Sequence, residues 1–453
     1  METMRILRKT IILALCLALC GTMIPAAGEK TGEKKRISSP EEAEIFVRTF
    51  LGESPELLDG QYLLSEMMEQ AVYGNGGFSA IAKQFAALGE LHETAPAYAG
   101  EISGMKVFRV PCRFSMAETD IVLTLDGDGA IAGLVTDRYT GPAKTEKAEG
   151  RHYSETELFL PVPELNGELP GTLTMPEGEG PFPAVVLIHG SGPNDRDESI
   201  GALKPFRDIA EDLSNQGIAV YRFDKRTLVY GKEMAADTKT TLREESVLDA
   251  VRAVQLLAGQ DQIDPERIFV LGHSLGGTAV PAIDLELKNQ TVQARGYILM
   301  APGARRLDTM IRDQYDFLAK LMPEAESERK AVLAELEKLE NPETLQEGDI
   351  IAGAYAAYWK WLIEYDPAGM AADITAPCLL LQGEEDYQVS MEDFRIFRNA
   401  LGGKENWTFR SYPGLVHTFT DGKKTEGPAA YTRSGRVSER VTADIAEFIM
   451  TQQ

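Results

Sequence analysis

Ile268-Phe-Val-Leu-Gly-His-Ser274-Leu-Gly-Gly277 runs from an apolar, strand-like stretch straight into a Gly-x-Ser-x-Gly sequence, and Thr278 to Leu287 continues in a helical period. That order sets a serine on the turn where a strand ends and a helix begins. Gly272 and Gly276 clear the space that such a tight turn requires, so Ser274 can be held strained and exposed. The helix behind it aims its free N–H groups at the place where negative charge would develop on a substrate. Taken alone in a glycine-rich chain, the same pattern reads as a plain strand-to-helix turn; the apolar run before it and the helical run after it raise it above that.

A serine hydroxyl is a weak nucleophile near neutral pH and needs a neighbouring base, most often a histidine that a carboxylate orients. The chain has five histidines. His92 falls in an N-terminal domain, His152 in a linker region, His189 in a glycine-rich loop upstream and His273 in the turn itself. Only His417, in Tyr412-Pro-Gly-Leu-Val-His417-Thr-Phe, lies downstream in the order serine, acid, histidine. For the acid, Leu379-Leu-Leu-Gln-Gly-Glu-Glu-Asp386-Tyr follows an apolar run, with Glu384, Glu385 and Asp386 close rivals on chemistry. Leu187-Ile-His189-Gly-Ser-Gly-Pro-Asn-Asp-Arg-Asp197 follows another apolar strand, and its glycines let backbone N–H groups approach a ligand closely. No Gly-Lys-Ser/Thr follows, which argues against a phosphate cradle. His189 and Arg196 read as residues that shape this loop.

Outward from these motifs, short apolar strands at Ala184–Ile188, Ala219–Phe223, Ile268–Leu271, Tyr297–Met300 and Cys378–Leu381 alternate with helical stretches at Phe206–Gln216, Glu245–Ala258 and Thr278–Leu287. Such alternation predicts an α/β domain over residues 153–453, with a mostly parallel sheet covered on both faces. A charged helical section at about 303–366 interrupts it as a cap inserted after a strand. Its apolar residues read as helix packing, with Trp359 or Trp361 as candidates to line an acyl pocket. Residues 38–140 run helices first and strands after, as in a small α+β domain. Glu44, Phe46, Val47 and Phe50 fit a helical stripe, and Phe78 to Leu88 continues in that period. Met105–Phe114 and Thr119–Leu125 are strand-like, and Asp126-Gly-Asp-Gly129 leads into Ala130–Val135. That turn lacks the spacing and terminal glutamate of an EF-hand loop and reads as a hairpin. Residues 141–152, rich in Lys, Glu, Gly and Ala, read as a linker.

A chain of 453 residues has material for two or three domains, at roughly 100–200 residues each. Its 43% apolar and 26% charged content is that of a soluble globular protein. The formal charge of −24 argues against nucleic acid or an anionic membrane surface as partner, since either needs a basic face. At the start, Arg5, Arg8 and Lys9 precede the apolar run Ile11–Leu19 and the small residues Pro25, Ala26 and Ala27. Residues 1–27 therefore read as a signal peptide, with a secreted or cell-envelope product; an uncleaved membrane anchor is the alternative. Cys16 and Cys20 each follow a leucine, unlike a lipoprotein cleavage box. Cys112 and Cys378 lie in apolar runs of different expected domains and read as unpaired thiols, and neither has a Cys or His at metal-ligand spacing. No metal site is expected.

Four separated segments, His189-Gly-Ser-Gly-Pro193, Tyr221-Arg-Phe-Asp-Lys-Arg226, Gly272-His-Ser-Leu-Gly-Gly277 and Gly383-Glu-Glu-Asp386 with His417, resemble α/β-hydrolases of the serine-aminopeptidase-like and bacterial carboxylesterase branch. The resemblance covers residues from about 153 to the end. It implies an α/β-hydrolase fold with a helical cap, preceded by a small accessory domain similar to that ahead of some exported bacterial hydrolases. It implies Ser274 as nucleophile and His417 as base. Family members place the acid three residues after the glycine, which selects Asp386. The oxyanion hole would be built from the backbone N–H of Leu275 and one from the His-Gly loop, either Gly190 or Ser191. In relatives the Asp-Lys-Arg segment usually continues with glycine; Thr227 here leaves the following loop's shape open. The implied chemistry is acyl transfer on a small-molecule ester or amide, with no cofactor. Ester hydrolysis ranks first, peptide or amide hydrolysis of the aminopeptidase type second and acyl transfer to an alcohol or amine third. Two readings come from other classes: a lapsed enzyme that binds through the same scaffold, which the intact Ser274, Asp386 and His417 argue against, and a ligand- or wall-binding module in the accessory domain.

Overall fold

The computed structural model describes residues 34–52, 54–102, 105–115, 117–137, 152–201 and 203–452. The signal-peptide reading of residues 1–27 lies outside them, as does the linker reading except for His152. Two compact units, Met1–Lys147 and Ala148–Gln453, divide the chain.

In the first unit, helix α1 (Pro40–Phe50) opens with Pro40 at its first turn and with Ser39 as N-cap, whose side chain accepts from the Glu42 N–H. Helix α2 (Glu66–Gly74) and a short helix at Phe78–Ala82 follow. The antiparallel sheet has β1 (Leu91–Thr94) and β2 (Tyr98–Ile102) on one edge of the long β3 (Met105–Phe114), then β4 (Glu118–Leu125) and β5 (Ile131–Asp137). Ala43, Phe46, Val47 and Phe50 of α1 share one buried cluster with Phe108, Val110 and Cys112 of β3. Glu44 is not part of that stripe: its carboxylate accepts from Arg48 and from the Thr94 hydroxyl at 2.7 Å, and Ala43 takes the core position. Ile37 is buried in the same cluster and the Lys35 N–H donates to Gln61 O, so this packing begins ahead of residue 38. Asp126 shapes the β4–β5 hairpin by accepting from the N–H groups of Asp128 and Ala130, with Gly129 at φ +77°.

The second unit begins with β6 (Tyr153–Glu157), a ribbon of β7 (Leu160–Val162) and β8 (Gly167–Leu169), and β9 (Gly171–Pro176). Then come β10 (Phe182–Ile188), β11 (Ala219–Phe223), β12 (Ile263–His273) and β13 (Gly296–Met300). A second ribbon, β14 (Ile350–Ile351) with β15 (Ala354–Tyr355), precedes β16 (Cys378–Gly383) and β17 (Trp407–Tyr412). The eight-stranded main sheet has the order β17-β16-β13-β12-β10-β11-β9-β6. The six strands from β17 to β11 are parallel, and β9 and β6 add on antiparallel.

Each expected strand lies inside an observed one, and the register explains their uninterrupted apolar sequence. Ala184, Val186 and Ile188 of β10 face one buried cluster and Val185 and Leu187 the other; β12, β13 and β16 alternate likewise. Helix α3 (Pro205–Ser214) covers the second face, and α4 (Leu248–Ala258) and α5 (Leu275–Asn289) cover the first. Helix α5 begins three residues ahead of the expected Thr278, directly after Ser274. The edge strands β6 and β17, and β9 between β6 and β11, were not foreseen: β6 is mostly exposed and β17 is half apolar.

The insertion after β13 carries α6 (Leu307–Leu321), α7 (Glu326–Leu336), the β14–β15 ribbon and α8 (Ala356–Glu364). Trp359 is not a pocket residue: it is buried in the main core and its indole N–H donates to Ile351 O at 2.7 Å. Trp361 stacks on Tyr365. Among the described residues no helix is long and apolar enough to cross a membrane. Cys112 and Cys378 are free and buried, one in each unit.

The base of the insertion is tied by one carboxylate. Asp393, fully buried on α9 (Met391–Leu401), accepts from the backbone N–H groups of Ala304 and Arg305 and pairs with the Arg305 guanidinium at 2.8 Å. Asp393→Ala removes the acceptor of four hydrogen bonds, two of them from backbone N–H groups, and is expected to lower stability by roughly 2–4 kcal/mol. A denaturant melt measures it, and a loss within a few tenths of a kcal/mol would mean that the tie is dispensable.

Candidate active site

β12 ends at His273, and the chain turns through Ser274 at φ +53° and ψ −118°, a conformation that non-glycine residues rarely adopt. The Ser274 N–H donates to Met300 O at 2.8 Å, and its carbonyl accepts from Thr278. A Cβ on Gly272 would drive into the Gly276 backbone, and one on Gly276 into the carbonyls of Ile188 and His189. The two glycines thus let the turn, the start of α5 and the end of β10 touch backbone to backbone.

Because β10, β12, β16 and β17 are parallel, their carboxyl ends open onto one side of the sheet, where the loops carrying Gly190, Ser274, Asp386 and His417 emerge. His417 is buried after β17, with Nδ1 2.6 Å from Asp386 Oδ2. The Asp386 carboxylate is fixed in turn by the N–H groups of Gln388 (2.7 Å) and Val389 (3.0 Å) and by the Gln382 amide (3.1 Å). Its sequence neighbours turn elsewhere: Glu384 accepts from the Ser411 hydroxyl and Glu385 from the Lys424 N–H. An acid fixed on Nδ1 presents Nε2 as the proton acceptor of the ring.

On the other side of the serine, a Cβ added to Gly190 would come within 3.1 Å of the Ser274 Cβ. Of the two donors expected from this loop, Gly190 or Ser191, the Gly190 N–H is already donated to Glu198 Oε1 at 2.6 Å. Ser191 N–H has no acceptor among the described residues, and Leu275 N–H, at the first helical position of α5, has none within its helix. These two are the free donors on either side of Ser274.

Sequence reasoning missed the group that joins these loops. Glu198, buried and at φ +51°, also accepts from His273 Nδ1 at 2.8 Å, while His273 Nε2 lies 3.0 Å from His417 O. A carboxylate and a carbonyl are both acceptors, so His273 satisfies them by carrying a proton on each ring nitrogen. Burial presses the His273 pKa down, but the Glu198 charge and hydrogen bond outweigh it and hold it above its ordinary value. One ion pair therefore links the Gly190 loop, the serine turn and the His417 loop, with the His273 and His417 rings 4.7 Å apart. No local pattern around Glu198 marks this role.

The remaining loop residues are structural. Arg196 pairs with Asp224 and donates to Thr172. His189 packs on Phe206 and Phe223, and its Nε2 has no partner among the described residues. Thr227, where the resemblance led to an expectation of glycine, donates its hydroxyl to Gly192 O. No group of described His, Cys, Asp and Glu residues is arranged to hold a metal.

A parallel, helix-covered sheet with a strained serine on its central turn, followed in chain order by an acid and a histidine, defines an α/β-hydrolase. Residues 181–423 match the serine aminopeptidase S33 family. Esterase EstD of Thermotoga maritima is 38% identical over 345 residues, 76% of this chain and 80% of that one. The chain belongs to the serine aminopeptidase S33 family of α/β-hydrolases, and within it is a carboxylesterase-like hydrolase. Among solved structures, Est1E from Butyrivibrio proteoclasticus is similar at 19% identity and TM-score 0.43, over 65% of this chain and 98% of that one. A puromycin-hydrolyzing peptidase of Mycobacterium tuberculosis is similar at 17% and 0.46, over 80% of this chain and 48% of that one.

Burial holds the His189 pKa down to about 4, against 6.5 for a free histidine. The unfolded chain accepts a proton there that the folded one refuses, so stability present above pH 6.5 is lost as pH falls toward about 4, on the order of 3 kcal/mol in all. His189→Asn is expected to flatten the melting temperature against pH over that window. A slope equal to that of the wild type would assign the acid sensitivity elsewhere.

Proposed function

We propose that this chain is an exported serine esterase that works through an acyl-enzyme on Ser274. The observation that carries the reading is the 2.6 Å hydrogen bond between Asp386 and His417, beside a serine held at φ +53°. Ser274 Oγ attacks the ester carbonyl while His417 Nε2 takes its proton. The tetrahedral oxyanion accepts from the N–H groups of Ser191 and Leu275. His417 returns the proton to the leaving alcohol, and water, deprotonated by the same ring, clears the acyl group. Asp386, through its hydrogen bond to Nδ1, keeps the histidine tautomer and orientation correct. The esterase relative supports esters as the substrate class. Export is supported by Arg5, Arg8 and Lys9 ahead of the Ile11–Leu19 run.

Ser274→Ala is expected to abolish fluorophosphonate labelling and to lower kcat on short p-nitrophenyl esters by about 10⁴-fold or more, and Asp386→Asn by about 10²–10⁴-fold. Aminoacyl p-nitroanilides in parallel decide the amidase alternative: faster turnover on these than on esters would replace the esterase reading. For export, the N-terminus of the protein recovered outside the cytoplasm should fall shortly after Ala27. An intact N-terminus in the membrane fraction would favour an anchor.

A further inference from the structure

We infer that Lys225 is a positioning residue for the oxyanion hole, which orients the Gly190–Ser191 peptide from behind so that the Ser191 N–H faces the reacting carbonyl. The inference rests on the esterase reading of Ser274 above. Lys225 follows β11, and its side chain is almost wholly buried. Its Nζ donates to Gly190 O at 2.7 Å and pairs with Glu245 Oε1 at 2.5 Å. Its backbone N–H donates to Asn194 O, and the Asn194 amide reaches Gly190 O at 3.2 Å, so the ammonium is anchored to the strap it supports.

A trans peptide holds its C=O and N–H on opposite sides of one plane. A donor fixed on the Gly190 carbonyl therefore fixes the direction of the Ser191 N–H on the far side. A cation on that carbonyl also polarises the peptide and strengthens its N–H as a donor. With the Gly190 N–H held by Glu198, both polar groups of Gly190 are held by buried charged side chains, and the peptide cannot swing away as charge develops.

Stability alone gives little reason for this pair. Burying an ammonium and a carboxylate costs several kcal/mol before their attraction offsets it, and apolar residues of the same volume often serve as well. Glu245 lies in a single π-helical turn, Arg243–Val247, an irregularity that recurs at functional sites. From the inserted segment, the Tyr358 hydroxyl faces the Glu245 carboxylate, its pKa raised by burial and by that charge. The chain from Tyr358 through Glu245 and Lys225 to Gly190 thus joins the insertion to the oxyanion strap.

The test compares the full-length wild type, Lys225→Met and the charge-balanced Lys225→Met/Glu245→Gln on one p-nitrophenyl ester, with inhibition by a trifluoromethyl ketone as mimic of the tetrahedral adduct. Lys225→Met is expected to lose roughly 10- to 100-fold in kcat with KM within about threefold, and ketone affinity is expected to fall by a similar factor. The double variant removes the unpaired carboxylate and should recover thermal stability but not kcat. If the single variant does not fold, the double variant decides. Recovery of wild-type kcat in the double variant, or undiminished kcat in the single one, overturns the inference, whereas a wild type without ester turnover would overturn the esterase reading instead.

Discussion

The contact of three backbones around Ser274 sets the terms for the rest of the second unit. β10, the serine turn and the start of α5 approach so closely at Gly272 and Gly276 that no Cβ fits between them. A serine at positive φ costs about 1–3 kcal/mol and persists only where its surroundings over-determine it. Those surroundings are the two apolar faces of the main sheet, which fix β10 and β12 side by side, and the hydrogen bond of the turn to Met300 on the neighbouring strand.

Around that point the loops are joined by charge. Glu198 and His273 connect the strap before the serine to the loop of the histidine after it, and Lys225 with Glu245 takes up the remaining polar group of Gly190. Buried ion pairs give little net stability, but breaking one is expensive. Their use here is to give each loop a single arrangement. A catalytic geometry tolerates errors of only a fraction of an ångström, and side chains locked by buried partners meet that demand better than exposed ones.

How much of this could be read in advance depends on whether the information is local. The parallel strands were legible because strands buried on both faces need unbroken apolar runs, as in Ala184–Ile188 and Cys378–Leu381. The edge strand β6, Tyr-Ser-Glu-Thr-Glu, carries no such run and is held by its pairing with β9. Of the site, Gly-x-Ser-x-Gly and the downstream histidine were legible from pattern and order. The acid was not, on residues alone: Glu384, Glu385 and Asp386 differ by where a tight turn points them, and only the family's spacing singled out Asp386 beforehand. The choice between Gly190 and Ser191 needed the position of Glu198, eight residues on, and nothing in the intervening sequence shows that its side chain returns to the Gly190 N–H.

The two buried thiols have a practical consequence. Burial pushes the Cys112 thiol up to about 12 and raises that of Cys378 well above its usual value, so neither forms the reactive thiolate while its unit is closed. One sits in the core of each unit. A thiol-directed dye therefore reacts at a rate set by how often each core opens, and a peptide map of the label separates the two. Without any engineering, the chain carries an independent clock for the opening of each of its two cores.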